Sequence, residues 1–205
     1  MIGYLRKNII PLIIESAFLA AVIFSKADTI YLNFCFYLLL TLYFAFRGEY
    51  SFTRIAGQVK QKKFWKDVFL TILILCIGYF LMLALQHAFP KIPVGAIKLK
   101  FDTPFKVFLF AVQTIFFPPL AEEMFYRKYL IVEGHGIGIT VLTLLFSSVL
   151  FAAEHAIAPF GIAAYTILGI AFGLAYLRHK NIEVMMAAHF IVNLIGNGAN
   201  IILCA

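Results

Sequence analysis

Seven apolar runs, separated by short polar connections, govern what this chain can become: Asn8–Phe24, Thr29–Phe46, Val68–Phe89, Phe105–Leu130, Ile137–Ala158, Ile162–Leu177 and Ile182–Ile201. Each is too long or too continuous for a sheet strand. In hydrocarbon every backbone N–H and C=O must be paired inside the protein, and a run of about 20 apolar residues matches one helical crossing. The runs predict an all-α fold, a polytopic transmembrane helix bundle with about seven spans (six to eight). Composition agrees. Of 205 residues, 63% are hydrophobic and 13% charged, whereas soluble domains hold roughly 45–50% and 25%. This excludes an ordinary cytosolic enzyme, a disordered protein and a free nucleic-acid binder. Spans of this number use up the length, so residues 1–205 are expected to form a single transmembrane domain.

The net charge of +7 falls mostly between the apolar runs, where it sets topology and meets anionic headgroups. With a cytoplasmic N-terminus, the inner segments hold 12 cations: Arg6, Lys7, Arg47, Arg54, Lys60, Lys62, Lys63, Lys66, Arg127, Lys128, Arg178 and Lys180. The outer ones hold 5: Lys26, Lys91, Lys98, Lys100 and Lys106. The bias predicts N-in and C-out. The stretch Arg47 to Asp67, with Trp65 among its lysines, suits a basic segment at the membrane surface. Its basic residues determine topology first and offer a substrate docking site second. The basic start Met1–Lys7 precedes a run that Glu15 interrupts and that no small-residue cleavage site follows, so a retained first span is expected. Cys35, Cys76 and Cys204 stand in separate apolar runs without CxxC spacing, which argues against a disulfide framework or zinc knuckle.

Ionisable side chains inside spans cost roughly 2.5–3.5 kcal/mol each on insertion scales and therefore mark function. Three runs carry them. The fourth reads Pro118-Pro119-Leu120-Ala121-Glu122-Glu123-Met124-Phe125-Tyr126-Arg127, the fifth ends in Phe151-Ala152-Ala153-Glu154-His155, and the seventh holds His189, Asn193, Asn197 and Asn200. Glu123 and Arg127 have the i, i+4 spacing of a favourable ion pair. Glu122 lies about 100° around the helix and projects elsewhere, so one acid is structural and its neighbour is available. The two prolines predict a helix break, with the acids in the first turn after it, where the dipole favours ionised carboxylates. His189, Asn193, Asn197 and Asn200 form one polar face.

A carboxylate and an imidazole facing one water make a general-base pair for attack on a carbonyl. A second His with an Asn one turn on could donate to a developing oxyanion. No Ser or Cys stands beside a His in these motifs, so direct attack by water is more natural than an acyl-enzyme. Glu122, His155 and His189 would equally serve as three zinc ligands with an open fourth position. The residues alone leave both chemistries open.

Glu122-Glu123-x-x-x-Arg127, Phe151-x-x-x-His155 and His189-x-x-x-Asn193 resemble, in order and placement, the three motifs of the CPBP (CAAX protease and bacteriocin-processing, ABI) family of intramembrane proteases, which includes type II CAAX prenyl endopeptidases. The likeness spans roughly 105–205, implying a catalytic core there in the C-terminal four spans, with N-terminal spans and the basic surface loop in 1–104. It implies that Glu122 and His155 activate water, that His189 and Asn193 stabilise the oxyanion, and that Glu123 and Arg127 form a supporting ion pair. Lys128 stands where many members have Gly. Asn193 is a good hydrogen-bond donor and a poor zinc ligand, which favours a glutamic-type protease, with no metal and no cofactor, over a zinc enzyme. The implied substrate is a membrane-associated protein or peptide, lipidated or CaaX-like. The charge pattern and short loops, apart from the resemblance, suit the plasma (inner) membrane, multi-pass, with lipid as a partner and no nucleic acid.

A difficulty accompanies this reading. Counted along the runs, His155 lies on the order of 15 Å from the depth of Glu122 and His189. A shared site requires the fifth run to start outside the core or Ala156–Gly161 to dip into the protein. Glu154, adjacent to His155, is expected to face the opposite side. Glu15 and His87 are expected to be interfacial or interhelical, and Asn197 and Asn200 to glue helices. Two other functions fit the composition. A non-enzymatic immunity or scaffold protein of the same family would keep its function without Glu122 and His155. A transporter would show inverted repeats and broken helices in both halves, whereas the polar residues gather in the C-terminal half.

Overall fold

The computed structural model describes residues 2–204. Met1, Ala205 and the side chains of Ile2, Leu5 and Cys204 lie outside what it describes. The described chain is all helix: α1 (Ile2–Phe24), α2 (Thr29–Phe46), α3 (Phe52–Gln58), α4 (Lys62–Ala88), α5 (Pro104–Tyr129), α6 (Ile137–Ala153), α7 (Pro159–His179) and α8 (Ile182–Cys204). Six of these are long and apolar enough to cross a membrane, and α6, at 17 residues, is shorter. The protein is a multi-pass membrane protein. Large apolar side chains such as Ile77, Phe80 and Leu81 of α4, or Ile195 of α8, face outward, as lipid allows. Cys35 and Cys76 are free thiols.

Local chemistry sets the helix ends. Asp28 caps α2, its carboxylate accepting from the Ile30 N–H, and Thr103 caps α5 ahead of Pro104. Such caps satisfy the unpaired first-turn donors. Lys106 also binds Asp28 at 2.8 Å, and that bond holds the Asp28 carboxyl below its ordinary range. At the opposite end of the bundle, Lys7, Arg47, Glu49, Lys128 and Tyr129 cluster, with Lys128 bonded to Glu49 at 2.7 Å.

Small residues set the packing distances. Gly78 of α4 lies against Ala171, Gly169 against the Ser148 backbone, and Gly173 against Leu144. This small-residue face lets α7 approach α4 and α6 closely, the usual basis of helix association in lipid. Polar glue joins α2 to α5, where Asn33 donates to Gln113 at 3.0 Å, both buried.

The prolines do not break α5. They sit in a continuous helix just after a π turn at Val112–Phe116, and a second π turn spans Glu123–Tyr129. A π turn admits one extra residue, and the missing proline N–H groups leave carbonyls one turn earlier without their usual donors. Asn197 of α8 answers one of them, donating to the Thr114 carbonyl at 3.1 Å. Asn197 thus has the helix-joining role its position suggested.

The fifth apolar run ends its helix at Ala153, earlier than its hydropathy suggests. Residues 154–158 then form a turn in which Glu154 and Ala156 are buried and Ile157 is exposed. Their backbone is paired with a second irregular segment: Ile97 N–H donates to the His155 carbonyl at 2.9 Å and Ile157 N–H to the Gly95 carbonyl at 3.0 Å. Two glycines make this approach feasible. Gly95 has φ +61° and would place a Cβ 2.6 Å from that of Ala158, while a Cβ on Gly161 would strike the Val94 carbonyl. Irregular backbone at depth is tolerated when it is buried and paired in this way.

Candidate active site

The α6–α7 turn resolves the depth difficulty. It brings His155 inward from the bundle end that bears Gly95, so that Glu122, Glu154 and His155 each offer a donor atom within 4.8 Å of the others. His189 of α8 enters from the other side, its Nε2 4.0 Å from Glu122 Oε2. The two acids, both histidines and Arg127 thus meet among α5, α6, α7 and α8. Asn193 lies one turn beyond His189 on the same helix, half-buried, and makes no protein hydrogen bond among the described residues.

Both histidines are oriented through Nδ1. His155 Nδ1 lies 2.8 Å from the Phe151 carbonyl, which only accepts, so this nitrogen carries the proton and Nε2 is left as a base. The ring lies between Phe151 and Tyr165 and is the half-exposed member of the set. His189 Nδ1 lies 2.7 Å from Glu123 Oε1 and points Nε2 at Glu122.

Glu123 therefore does more than pair with Arg127. Its contact to His189 is shorter than its contact to Arg127, 3.6 Å. The Arg127 guanidinium is fully buried between the rings of Phe151 and Phe172, at 4.7 and 4.6 Å from their centroids, where aromatic faces attract a cation. Charges of opposite sign then alternate along Glu122, His189, Glu123 and Arg127 when His189 is protonated. A buried ionic row of this kind survives only because each charge has a partner.

A sequence model of one family, described as type II CAAX prenyl endopeptidase Rce1-like, matches residues 104–195. Over that stretch the chain is similar to the Rce1-like family. The match covers α5 through most of α8 and includes every residue of the three motifs. No curated protein and no solved structure matches the chain. That likeness supports a membrane-embedded hydrolase of the protease class in general.

Within this Rce1-like stretch, one expectation fails. Glu154 does not face away from the site. The α-helix stops at Ala153, so the 100° rule ceases to separate residues 154 and 155, and Glu154 turns inward to 5% exposure. There its Oε1 lies 3.0 Å from the Tyr37 hydroxyl, which also bonds Glu122 Oε1 at 2.5 Å. Its Oε2 lies 2.7 Å from the Tyr126 hydroxyl, which bonds Glu15 Oε2 at the same distance. Glu15 is interhelical, as expected.

Sequence reasoning missed Tyr37 and Tyr126. Tyr126 carried a usable signal, since it stands four residues after Glu122 on the same helical face. Tyr37, one of many aromatics in α2, carried none. For a cation, the gathered donors are Glu122, Glu154 and His155, with Glu154 in the place sequence gave to His189. The facing Oε1 atoms of the two acids already share the Tyr37 hydroxyl, so protons join them.

Proposed function

We propose that the chain is a glutamic-type intramembrane endopeptidase. Water held between Glu122 and His155 attacks a substrate carbonyl. Glu122 Oε2, which has no protein hydrogen bond, takes the water proton and delivers it to the departing amine. His189, protonated beside Glu123, donates through Nε2 to the oxyanion, and Asn193 adds a second donor. Arg127 holds Glu123 in place. The observation that carries this reading is the convergence of Glu122, His155 and His189, from two separate helices and one turn, in an otherwise apolar bundle.

The substrate we infer is a membrane-associated protein or peptide with an apolar, lipidated or CaaX-like end. An apolar cavity of about 290 Å³, walled in part by Phe64, Phe116, Leu120, Met186 and Phe190, lies against α5 and α8, the helices that carry Glu122 and His189. It suits an apolar tail. We assign the catalytic core to 105–205, the membrane to the plasma (inner) membrane, and the N-terminus to the cytoplasm on the cation bias.

The test is terminus-resolved proteomics on membranes from cells holding wild type or Glu122→Gln at equal abundance. New protein termini that require Glu122 are expected, and they name the substrate and cut site. Identical terminus maps, with a phenotype that still separates either strain from a deletion, would favour the non-enzymatic reading. Cleavage is expected to persist in a strong chelator. Loss that zinc alone restores would replace the glutamic mechanism with a metal one.

A further inference from the structure

Three carboxyl groups and two phenols form one unbroken chain through the bundle: Glu15 of α1, Tyr126 of α5, Glu154 after α6, Tyr37 of α2 and Glu122 of α5. All five are buried, at 5% exposure or less. The chain has four links, each requiring one proton. A phenol supplies a single proton, so Tyr37 and Tyr126 account for two. The other two must sit on carboxyl groups. Two of the three acids are therefore neutral, and the chain carries one negative charge.

We propose that this charge resides on Glu122, that Glu154 and Glu15 are neutral acids, and that Glu154 is a positioning residue which aims the Tyr37 hydroxyl proton at the catalytic carboxylate. The proposal rests on the protease reading of Glu122. Of the three acids, Glu122 faces the His189 Nε2 edge, where a protonated imidazole stabilises an anion. Glu154 faces the two hydroxyls, and its near histidine nitrogen, His155 Nδ1 at 3.6 Å, spends its proton on the Phe151 carbonyl. Glu15 faces Tyr126. With the charge on Glu122, every donor points one way: Glu15 to Tyr126, Tyr126 to Glu154 Oε2, Glu154 Oε1 to Tyr37, and Tyr37 to Glu122 Oε1. Glu122 Oε1 is thereby occupied and Oε2 is left as the base. No bond beyond these hydrogen bonds forms or breaks.

The direct test needs no substrate. Infrared difference spectra of the purified protein in lipid nanodiscs at neutral pH are expected to show protonated-carboxyl C=O bands that Glu154→Gln and Glu15→Gln each remove in part, and that Glu122→Gln leaves in place. A band lost in Glu122→Gln, or none lost in Glu154→Gln, overturns the proposal whatever the protein cleaves. Absence of cleavage with these bands intact would instead count against the protease reading alone. On a cleaved substrate, Glu154→Met is expected to lower kcat about tenfold with KM nearly constant, and Glu154→Gln to restore most of that loss, because an amide N–H can donate to Tyr37 as a neutral acid does. Tyr37→Phe removes the donor to Glu122, so Glu122 binds protons more readily and the acid limb of the pH profile moves up by about one unit. A Glu154→Gln variant no better than Glu154→Met, or an unmoved acid limb in Tyr37→Phe, overturns it.

Discussion

Glu122 stands between two polar regions built on different principles. On the α8 side, His189, Glu123 and Arg127 form a row of imidazole, carboxyl and guanidinium groups beside Phe151 and Phe172. On the α1–α2 side, Tyr37, Glu154, Tyr126 and Glu15 interleave hydroxyls with carboxyls. The first region gains its order from opposite charge and depends on every member. The second gains it from shared protons, and each link is a single neutral or singly charged hydrogen bond. In the proposed mechanism, one side fixes the position of an oxyanion donor, and the other fixes the protonation of a base. A catalytic carboxylate in lipid needs both, because it has no bulk water to hold its charge.

The largest effect should come at the junction. Glu122→Gln is expected to lower cleavage by roughly 10²–10⁴-fold, the usual contribution of a positioned acid–base group, while thermal stability in detergent changes little. Residual activity above one tenth of wild type would detach Glu122 from the chemistry and dissolve the comparison. The next largest separates the two sides. Arg127→Ala removes one partner of a buried ion pair and leaves Glu123 with His189 alone, a change of the kind that costs about 3–5 kcal/mol. A marked fall in thermal midpoint is expected, and Arg127→Lys should recover little of it, since an ammonium cannot fill the flat slot between Phe151 and Phe172. Tyr126→Phe removes hydroxyl links on the other side and is expected to cost about 1 kcal/mol. Equal losses in the two variants would refute the contrast between a charge row and a proton-sharing chain.

The two sides also differ in how they could be read from the chain. Of the charge row, the Glu123–Arg127 pair was legible because it obeys helical spacing, four apart on α5, whereas the contact of Glu123 to His189 crosses 66 positions; His189 and Asn193 are likewise four apart on α8. The family resemblance rested on the same periodicity. The proton-sharing chain was not legible. Its members come from α1, α2, α5 and the turn after α6, and no local rule brings Glu15 or Tyr37 to residues more than 80 positions away. Glu154 was misplaced for a local reason, because its orientation depends on a helix end that hydropathy could not locate. The run Ile137–Ala158 is apolar throughout. What ends the helix is the pairing of residues 155–157 with 95–97 and the start of α7 at Pro159. The spans themselves followed from hydropathy alone, with the α5 prolines as the exception.

That exception supplies the smallest effect and a scale for the others. In a helix, the Thr114 carbonyl should receive an N–H from residue 118 or, across a π turn, from residue 119, and both are proline. Asn197 takes over by donating to that carbonyl. A single interhelical hydrogen bond in a membrane protein averages about 0.6 kcal/mol, so Asn197→Leu should lower stability by about that amount with little change in cleavage. The deciding measurement is a double-mutant cycle with Pro118→Ala/Pro119→Ala, which returns backbone N–H groups to the turn. If Asn197 serves to answer the prolines, its replacement costs markedly less in that background, because the carbonyl then has its own donor. An undiminished cost would mean that Asn197 acts through some other contact. The Pro118-Pro119 step would then set the orientation of Glu122 and Glu123 without help from α8.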